Sequence, residues 1–268
     1  MFAAITFLSD FGSADIFVGV CHGVLTEAAP DVRVIDLTHE VPPGDVEAGA
    51  VLLARAVAHL PRSIHLAVVD PGVGTARRGI AVATGRGDVL VGPDNGLLVP
   101  AVRALGGLRA SRELASPRYR RHPTSATFHG RDVFAPAAGA LAAGVDLDEL
   151  GPPAEDIIEL PEPFAVVTDE HLEAAVVLVD RFGNLQLATN WTAATRTLGL
   201  TAGATVAVQI GDRSVPARVV RTFGELRTGD LGVYEDSDGQ VAIARSGHSA
   251  AELLGAARGD RIVVRTDR

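Results

Sequence analysis

Several short segments hold the residue types that move protons or grip polar ligands. In Val69-Asp70-Pro71-Gly72-Val73-Gly74-Thr75-Ala76-Arg77-Arg78, an apolar run ends in an acid, and a Pro/Gly turn returns an arginine pair. The glycines there allow positive φ or a close backbone approach to a ligand. Alone, the segment also reads as a turn closed by a structural Asp–Arg ion pair. In Thr127-Phe128-His129-Gly130-Arg131-Asp132, a histidine stands in a polar, Gly-containing loop ahead of a run of small residues. Asp132 suits a helix N-terminus, where the dipole favours a carboxylate, and Arg131 suits pairing with a nearby acid. His22, His59 and His65 fall in predicted helices or a strand and read as structural.

Ser9 to Asp15 places two carboxylates, Asp10 and Asp15, in a strand-to-helix turn. Such a pair suits recognition of hydroxyls or an ammonium, although Asp15 is equally explained as a helix N-cap. Asp180-Arg181-Phe182-Gly183-Asn184 reads as a hairpin turn; an acid, an aromatic ring and an amide side by side also suit an amino group and a purine. Val91-Gly92-Pro93-Asp94-Asn95-Gly96 is turn chemistry by any reading.

The elements that must position these residues follow from apolar patterning. Strands are expected at Ala3 to Leu8, Val32 to Leu37 and Ser63 to Val69, and helices at Asp15 to Ala28 and Asp45 to His59. A hairpin around Gly85-Arg86-Gly87 joins Gly79–Thr84 to Asp88–Val91. Further helices are expected at Leu97 to Leu105 and Asp132 to Ala143. Continuous apolar strands between helices imply a sheet covered on both faces. Beyond the Pro-rich stretch Gly151 to Pro163 the pattern changes to short, evenly spaced strands with one short helix, His248 to Leu254, as in a small β-barrel. The expected architecture is an α/β N-terminal domain, residues 1–160, with a central and mostly parallel sheet, followed by a smaller C-terminal β-barrel domain, residues 161–268. Ligands of open α/β sheets sit beyond the carboxyl ends of strands, which puts Asp10 and Asp70 in one candidate crevice.

Composition excludes several function classes. Net charge is −9 and the pI is about 5.3, against a nucleic-acid partner, which needs a basic face. The chain has no lysine. That removes a Walker phosphate loop, a pyridoxal Schiff base and any lysine nucleophile. The single cysteine, Cys21, reads as a buried small hydrophobe. No secretory signal pattern and no membrane-spanning apolar stretch is apparent, so a cytoplasmic protein with no membrane partner is expected.

Together the segments Ser9–Asp15, Val69–Arg78, Val91–Gly96, Ser125–Pro136, Asp180–Asn184 and the tail Gln240–Asp260 resemble the S-adenosylmethionine hydrolase family, also called SAM hydroxide adenosyltransferases. They occur in family order and cover nearly the whole chain. The resemblance implies hydrolysis of S-adenosylmethionine to adenosine and methionine, with Asp70, Arg77 and His129 activating water. It implies that Asp10 holds ribose hydroxyls, that Asp15 and Asp180 meet the methionine end, and that Phe182 and Asn184 contact adenine. Arg245 and Ser246 match a pair that meets the methionine carboxylate. It further implies no cofactor and no metal, and a homotrimer with its site at a subunit interface. The related fluorinases and chlorinases lack the Asp–Arg–His set. Other readings are a halide-using adenosyltransferase, a hydrolase whose metal is held by Asp70, His129 and Asp132, and a non-catalytic S-adenosylmethionine or adenosine sensor.

Overall fold

A computed structural model describes residues 2–266. The chain divides into two compact units, Met1–Leu160 and Pro161–Arg268.

The first unit runs β1 (Ile5–Ser9), α1 (Phe17–Ala28), β2 (Val34–Thr38), α2 (Val46–Ala58), β3 (Ile64–Val68), β4 (Gly79–Thr84), β5 (Val89–Pro93), α3 (Val99–Ala104), β6 (Leu108–Glu113) and α4 (Ala135–Ala142). Its six-stranded sheet has the order β2-β1-β3-β5-β4-β6. β1, β3 and β5 are buried along their whole length, as the continuous apolar runs require of strands covered on both faces. Successive side chains point to opposite faces. Ile5 and Phe7 therefore pack on one side with Cys21 and Leu25 of α1 and Ala138 of α4, while Leu8 packs on the other with Leu53 of α2 and Ala101 of α3. Small residues let α4 approach α1 closely: a Cβ on Gly139 would lie 2.5 Å from that of Ala28.

Two expectations are corrected. The sheet is mixed, not mostly parallel: β1–β2, β1–β3 and β3–β5 are parallel, but β4 runs antiparallel to both β5 and β6. The tight Gly85–Gly87 turn forces this, because a short turn can join only antiparallel strands. Asp15 does not cap α1. The helix starts at Phe17 with Ile16 at the cap position and no side-chain cap bond. Asp15 Oδ1 instead accepts a hydrogen bond from the adjacent Ile16 N–H at 2.7 Å, one residue too early for a cap, which must accept from the second or third helical N–H. By contrast Asp45 caps α2, accepting from Ala48 N–H at 3.0 Å.

The second unit runs β7 (Ala165–Val167), β8 (His171–Val179), β9 (Leu185–Asn190), α5 (Trp191–Leu198), β10 (Thr205–Ile210), β11 (Arg213–Val219), β12 (Leu231–Glu235), β13 (Gln240–Arg245), α6 (Ala250–Leu254) and β14 (Arg261–Thr266). Seven strands close into a barrel, because β8 pairs with β14 as well as with β9, and β7 adds to the outer edge of β8. Closure removes the free edges of the seven. Alternate residues such as Leu172, Ala174 and Val176 of β8 fill the barrel core with Val206, Val233 and Ile262. Among the described residues no helix is long and apolar enough to cross a membrane.

Candidate functional site

The strand order reverses direction between β1 and β3: one neighbour of β1 is the next strand in sequence, and the other side continues with β3. Crevices open beyond the carboxyl ends of strands at such a switch point. Asp10 follows β1 and Asp70 follows β3, on adjacent parallel strands. Asp10 Oδ2 accepts from Gly44 N–H at 2.8 Å, and a Cβ on Gly44 would lie 3.8 Å from that of Pro71. The β2–α2 loop thus bridges the Asp10 turn and the Asp70 loop.

The Asp70 loop curls through two short turns, Val73 N–H to Asp70 O and Thr75 N–H to Gly72 O. This folds Arg77 back onto Asp70. Arg77 Nε donates to Asp70 Oδ1 at 3.0 Å, Arg77 Nη2 donates to Asp70 Oδ2, and the same Nη2 lies 3.0 Å from His129 Nδ1. Both members of the ion pair are buried, with side chains 8% and 6% exposed. Phe134 stacks under the guanidinium at 5.1 Å. The next arginine has another task. Arg78 donates to Asp94 and Glu113 and to the Asp156 carbonyl, tying the Pro93–Gly96 turn down.

His129 arrives from far along the chain, on a loop that ends in a π-helical turn, Gly130–Phe134, ahead of α4. Such turns recur at functional sites. Arg131 donates to both oxygens of buried Asp132, and Asp132 Oδ2 also accepts from Ser125 N–H at 2.8 Å, which shapes the loop. The two loops touch at Gly74, whose φ is +76° and where a Cβ would lie 2.4 Å from the Ala126 carbonyl oxygen.

A guanidinium has only donors, so His129 Nδ1 is the acceptor of the Arg77 bond. The neutral ring therefore carries its proton on Nε2, which is left as a donor. Burial first, and the Arg77 charge second, push His129 below its ordinary value of 6.5, against an opposing pull from Asp70. A cavity of about 180 Å³ adjoins this group and is lined by Arg77, Arg78, Glu113, Arg120 and His129. The metal reading does not gain from the geometry. The carboxylates of Asp70 and Asp132 are each taken up by an arginine, and neither is among the described groups able to gather a metal ion.

On the barrel, Asp180 Oδ1 accepts from Phe182 N–H and Asn184 N–H, both at 2.9 Å, and its Oδ2 accepts from Asn184 Nδ2 at 2.8 Å. The turn is thus a self-satisfied Asx turn that leaves the Phe182 ring 77% exposed. Phe182, Asn184, Arg245 and Ser246 share a cavity of about 590 Å³, together with Phe223 and His248. Arg245 Nε donates to Gly229 O at 3.1 Å. Sequence reading did not single out Phe134, Phe223 or His248. Phe134 reads as core because it falls in an apolar helical run, His248 reads as the start of a short helix in the matching tail, and Phe223 stands outside every segment singled out.

Residues 5–151 match the family model described as SAM hydroxide adenosyltransferase N-terminal domain, and residues 174–263 match the corresponding C-terminal domain. A protein of Salinispora tropica named (R)-S-adenosyl-L-methionine hydrolase is 50% identical over 97% of both chains. A protein of the same name from Thermus thermophilus is 44% identical over 94% of this chain and 96% of that one. Fluorinases stand further off, at 28–29% identity. A solved structure of an uncharacterized conserved protein from Thermotoga maritima superposes with a TM-score of 0.93 at 34% identity, covering 97% of this chain and 99% of that one.

Proposed function

Because the chain belongs to the SAM hydroxide adenosyltransferase family and hydrolyses S-adenosylmethionine, we propose that Asp70, Arg77 and His129 ready the attacking water. The observation that carries this reading is the continuous hydrogen-bond chain in which one guanidinium grips Asp70 and His129 at once. Water attacks the ribose 5′ carbon from the side opposite sulfur. An oxygen lone pair forms the new carbon–oxygen bond as the carbon–sulfur bond breaks, and its electron pair returns to sulfur. Methionine leaves as a neutral thioether, so the leaving side needs no general acid.

The demand falls on the nucleophile, since bulk water has a pKa of about 15.7. His129 Nε2–H donates to the water oxygen and, with the positive field of Arg77, stabilises developing hydroxide. With both ring nitrogens engaged as acceptor and donor, His129 is not the base; Asp70 accepts the proton and passes it to solvent. Holding the oxygen in line with the carbon–sulfur bond removes orientational entropy from the barrier. No metal or other cofactor enters the scheme.

Asp10 keeps one carboxylate oxygen on Gly44 N–H and turns the other to the ribose hydroxyls. Phe182 stacks on adenine and Asn184 hydrogen-bonds it, while Asp15, Asp180, Arg245 and Ser246 hold the methionine end. These residues divide between the two units, and the reading includes a cytoplasmic homotrimer in which one subunit's barrel completes the next subunit's site. Light scattering of the purified protein tests the trimer; a monomer active at the same concentration refutes it. For the chemistry, His129→Ala and Asp70→Ala are expected to bind S-adenosylmethionine by calorimetry and to lose most turnover, with solvent ¹⁸O appearing in adenosine made by the native protein. Undiminished turnover in both variants removes the trio from the mechanism.

A further inference from the structure

We infer that the outer edge of the first unit's sheet carries a site for a zinc-like first-row divalent cation, built from His22 on α1, Asp36 on β2 and His39 just beyond β2. His22 Nε2 lies 2.8 Å from Asp36 Oδ1, and His39 Nε2 lies 3.1 Å from the same oxygen. All three ligand atoms lie within 4.8 Å of one another. Metal–nitrogen and metal–oxygen bonds of about 2.1 Å put neighbouring ligand atoms about 3.0 Å apart in an octahedral site and about 3.4 Å apart in a tetrahedral one. The two distances fit edges of such a polyhedron.

Hydrogen bonds to one carboxylate have similar lengths, so distance alone does not decide. The decisive atom is His39 Nε2. His39 is only 8% exposed, and this nitrogen is buried without a hydrogen-bond partner. It stands 3.1 Å from Asp36 Oδ1 yet makes no hydrogen bond to it. A buried polar atom without a partner is destabilising; a cation between the three groups removes that cost. The ring is fixed in the pose a ligand requires. His39 Nδ1 is 2.7 Å from Ser9 Oγ, and the ring packs edge-on against Phe7 at 4.7 Å. Donation from Nδ1 to a second-shell oxygen leaves the Nε2 lone pair free for a metal. Two imidazoles and one carboxylate suit zinc, cobalt, nickel or iron rather than magnesium or calcium. His22 and Asp36 are 33% and 42% exposed, so an ion can enter and keep water on its remaining positions.

The site shares no residue with Asp70, Arg77 and His129. It would clip α1 to the edge strand β2, beside the turn in which Gly12 N–H donates to His39 O at 2.7 Å. The test uses untagged, chelator-stripped protein, titrated with Zn²⁺ by calorimetry and with Co²⁺ by visible absorption. One ion per chain is expected, with a rise in melting temperature. Asp36→Asn and His22→Gln, both at partly exposed positions and so expected to fold, should each weaken binding about tenfold or more and abolish the thermal shift. Failure of the native protein to bind overturns the inference. So does equal binding by both variants, which would place the ion on other histidines and leave His22, Asp36 and His39 as a bare hydrogen-bonded cluster.

Discussion

Replacing Arg77 by lysine separates charge from geometry. In the native protein the guanidinium makes two bonds to Asp70 and one to His129 from a planar fork. Lysine keeps the positive charge beside a carboxylate that is 6% exposed, so Asp70 is not stranded. A single ammonium lacks the planar fork, however, and does not reproduce all three contacts. If the bond to His129 is lost, the deficit is one charge-assisted hydrogen bond, about 1.5–3 kcal/mol. Expressed in the barrier, that is about a 10- to 150-fold fall in kcat. Arg77→Met is the contrast. It strands the buried carboxylate and costs about 3–5 kcal/mol of stability, roughly 6–20 °C in Tm for a unit of this size. It also removes the larger of the two charges that lower His129, Arg77 ahead of Arg120, while burial stays, so the imidazole pKa should rise. Adenosine formation at saturating substrate, calorimetric melting and an NMR titration of His129 read the three effects separately. If Arg77→Lys turns over within about threefold of native, a factor worth well under one charge-assisted bond, then the fork has no part in catalysis and the proposed role of His129 falls with it.

The imidazole must stay neutral to accept from Arg77, and burial with the Arg77 charge holds it below 6.5; kcat should therefore stay level through neutrality and fall only at pH values under 6.5, and an acid limb centred above 6.5 contradicts the assignment. Stability should fall on acidification as well. Burial lowers His65, which bridges Thr6 and Asp88 in the core, while Asp88, though burial pushes it up, is carried below 3.8 by hydrogen bonds from Arg86, Ser63 N–H and His65. For both groups the unfolded chain binds more protons, so denaturant midpoints should decline as pH drops from about 6.5; a midpoint that rises there reverses the sign of the argument. Gly74→Ala forces a Cβ to 2.4 Å from Ala126 O and pushes the Asp70 and His129 loops apart. A misplacement of about 1 Å costs about a hundredfold in kcat, with circular dichroism unchanged; native turnover in a folded variant would mean the loop contact is irrelevant.

How much was legible in the sequence depended on distance along the chain. The start of α2 at Asp45 and the Gly79–Thr84 strand could be read directly, because a helix start and a short apolar run are local signals. β6 could not: Leu108-Arg109-Ala110-Ser111-Arg112-Glu113 has no apolar run, and it is a strand only because β4 offers it an edge. α5 was missed for a like reason, with Thr192, Thr195, Arg196 and Thr197 diluting its apolar face. In the site, Asp70 and Arg77 lie close enough for a turn to join them. Nothing local in the sequence separates Arg77 from Arg78; opposite directions off the chain send one to His129 and the other to Asp94. The His129 contact is closed by the sheet, which brings the two loops together at Gly74 and Ala126. His22, Asp36 and His39 were invisible as a group because a helix face and a strand edge carry no shared spacing.

Water and halide ask different things of such a pocket. A halide arrives as an anion and releases no proton, so it needs donors around it and no acceptor. Water needs a donor to steady its oxygen and an acceptor for its proton. The hydrogen-bond chain supplies both kinds, with the donor Nε2–H of His129 at one end and the Asp70 carboxylate at the other. On the proposed reading, the Asp70 carboxylate repels a halide at the nucleophile's position and helps water lose a proton. Added chloride or fluoride should therefore leave adenosine as the sole nucleoside product by mass spectrometry, with rates changed only as far as ionic strength screens the site. A 5′-halogenated adenosine appearing in yields comparable to adenosine would show that Asp70 does not face the nucleophile, and the assignment of proton acceptor would have to move to another group.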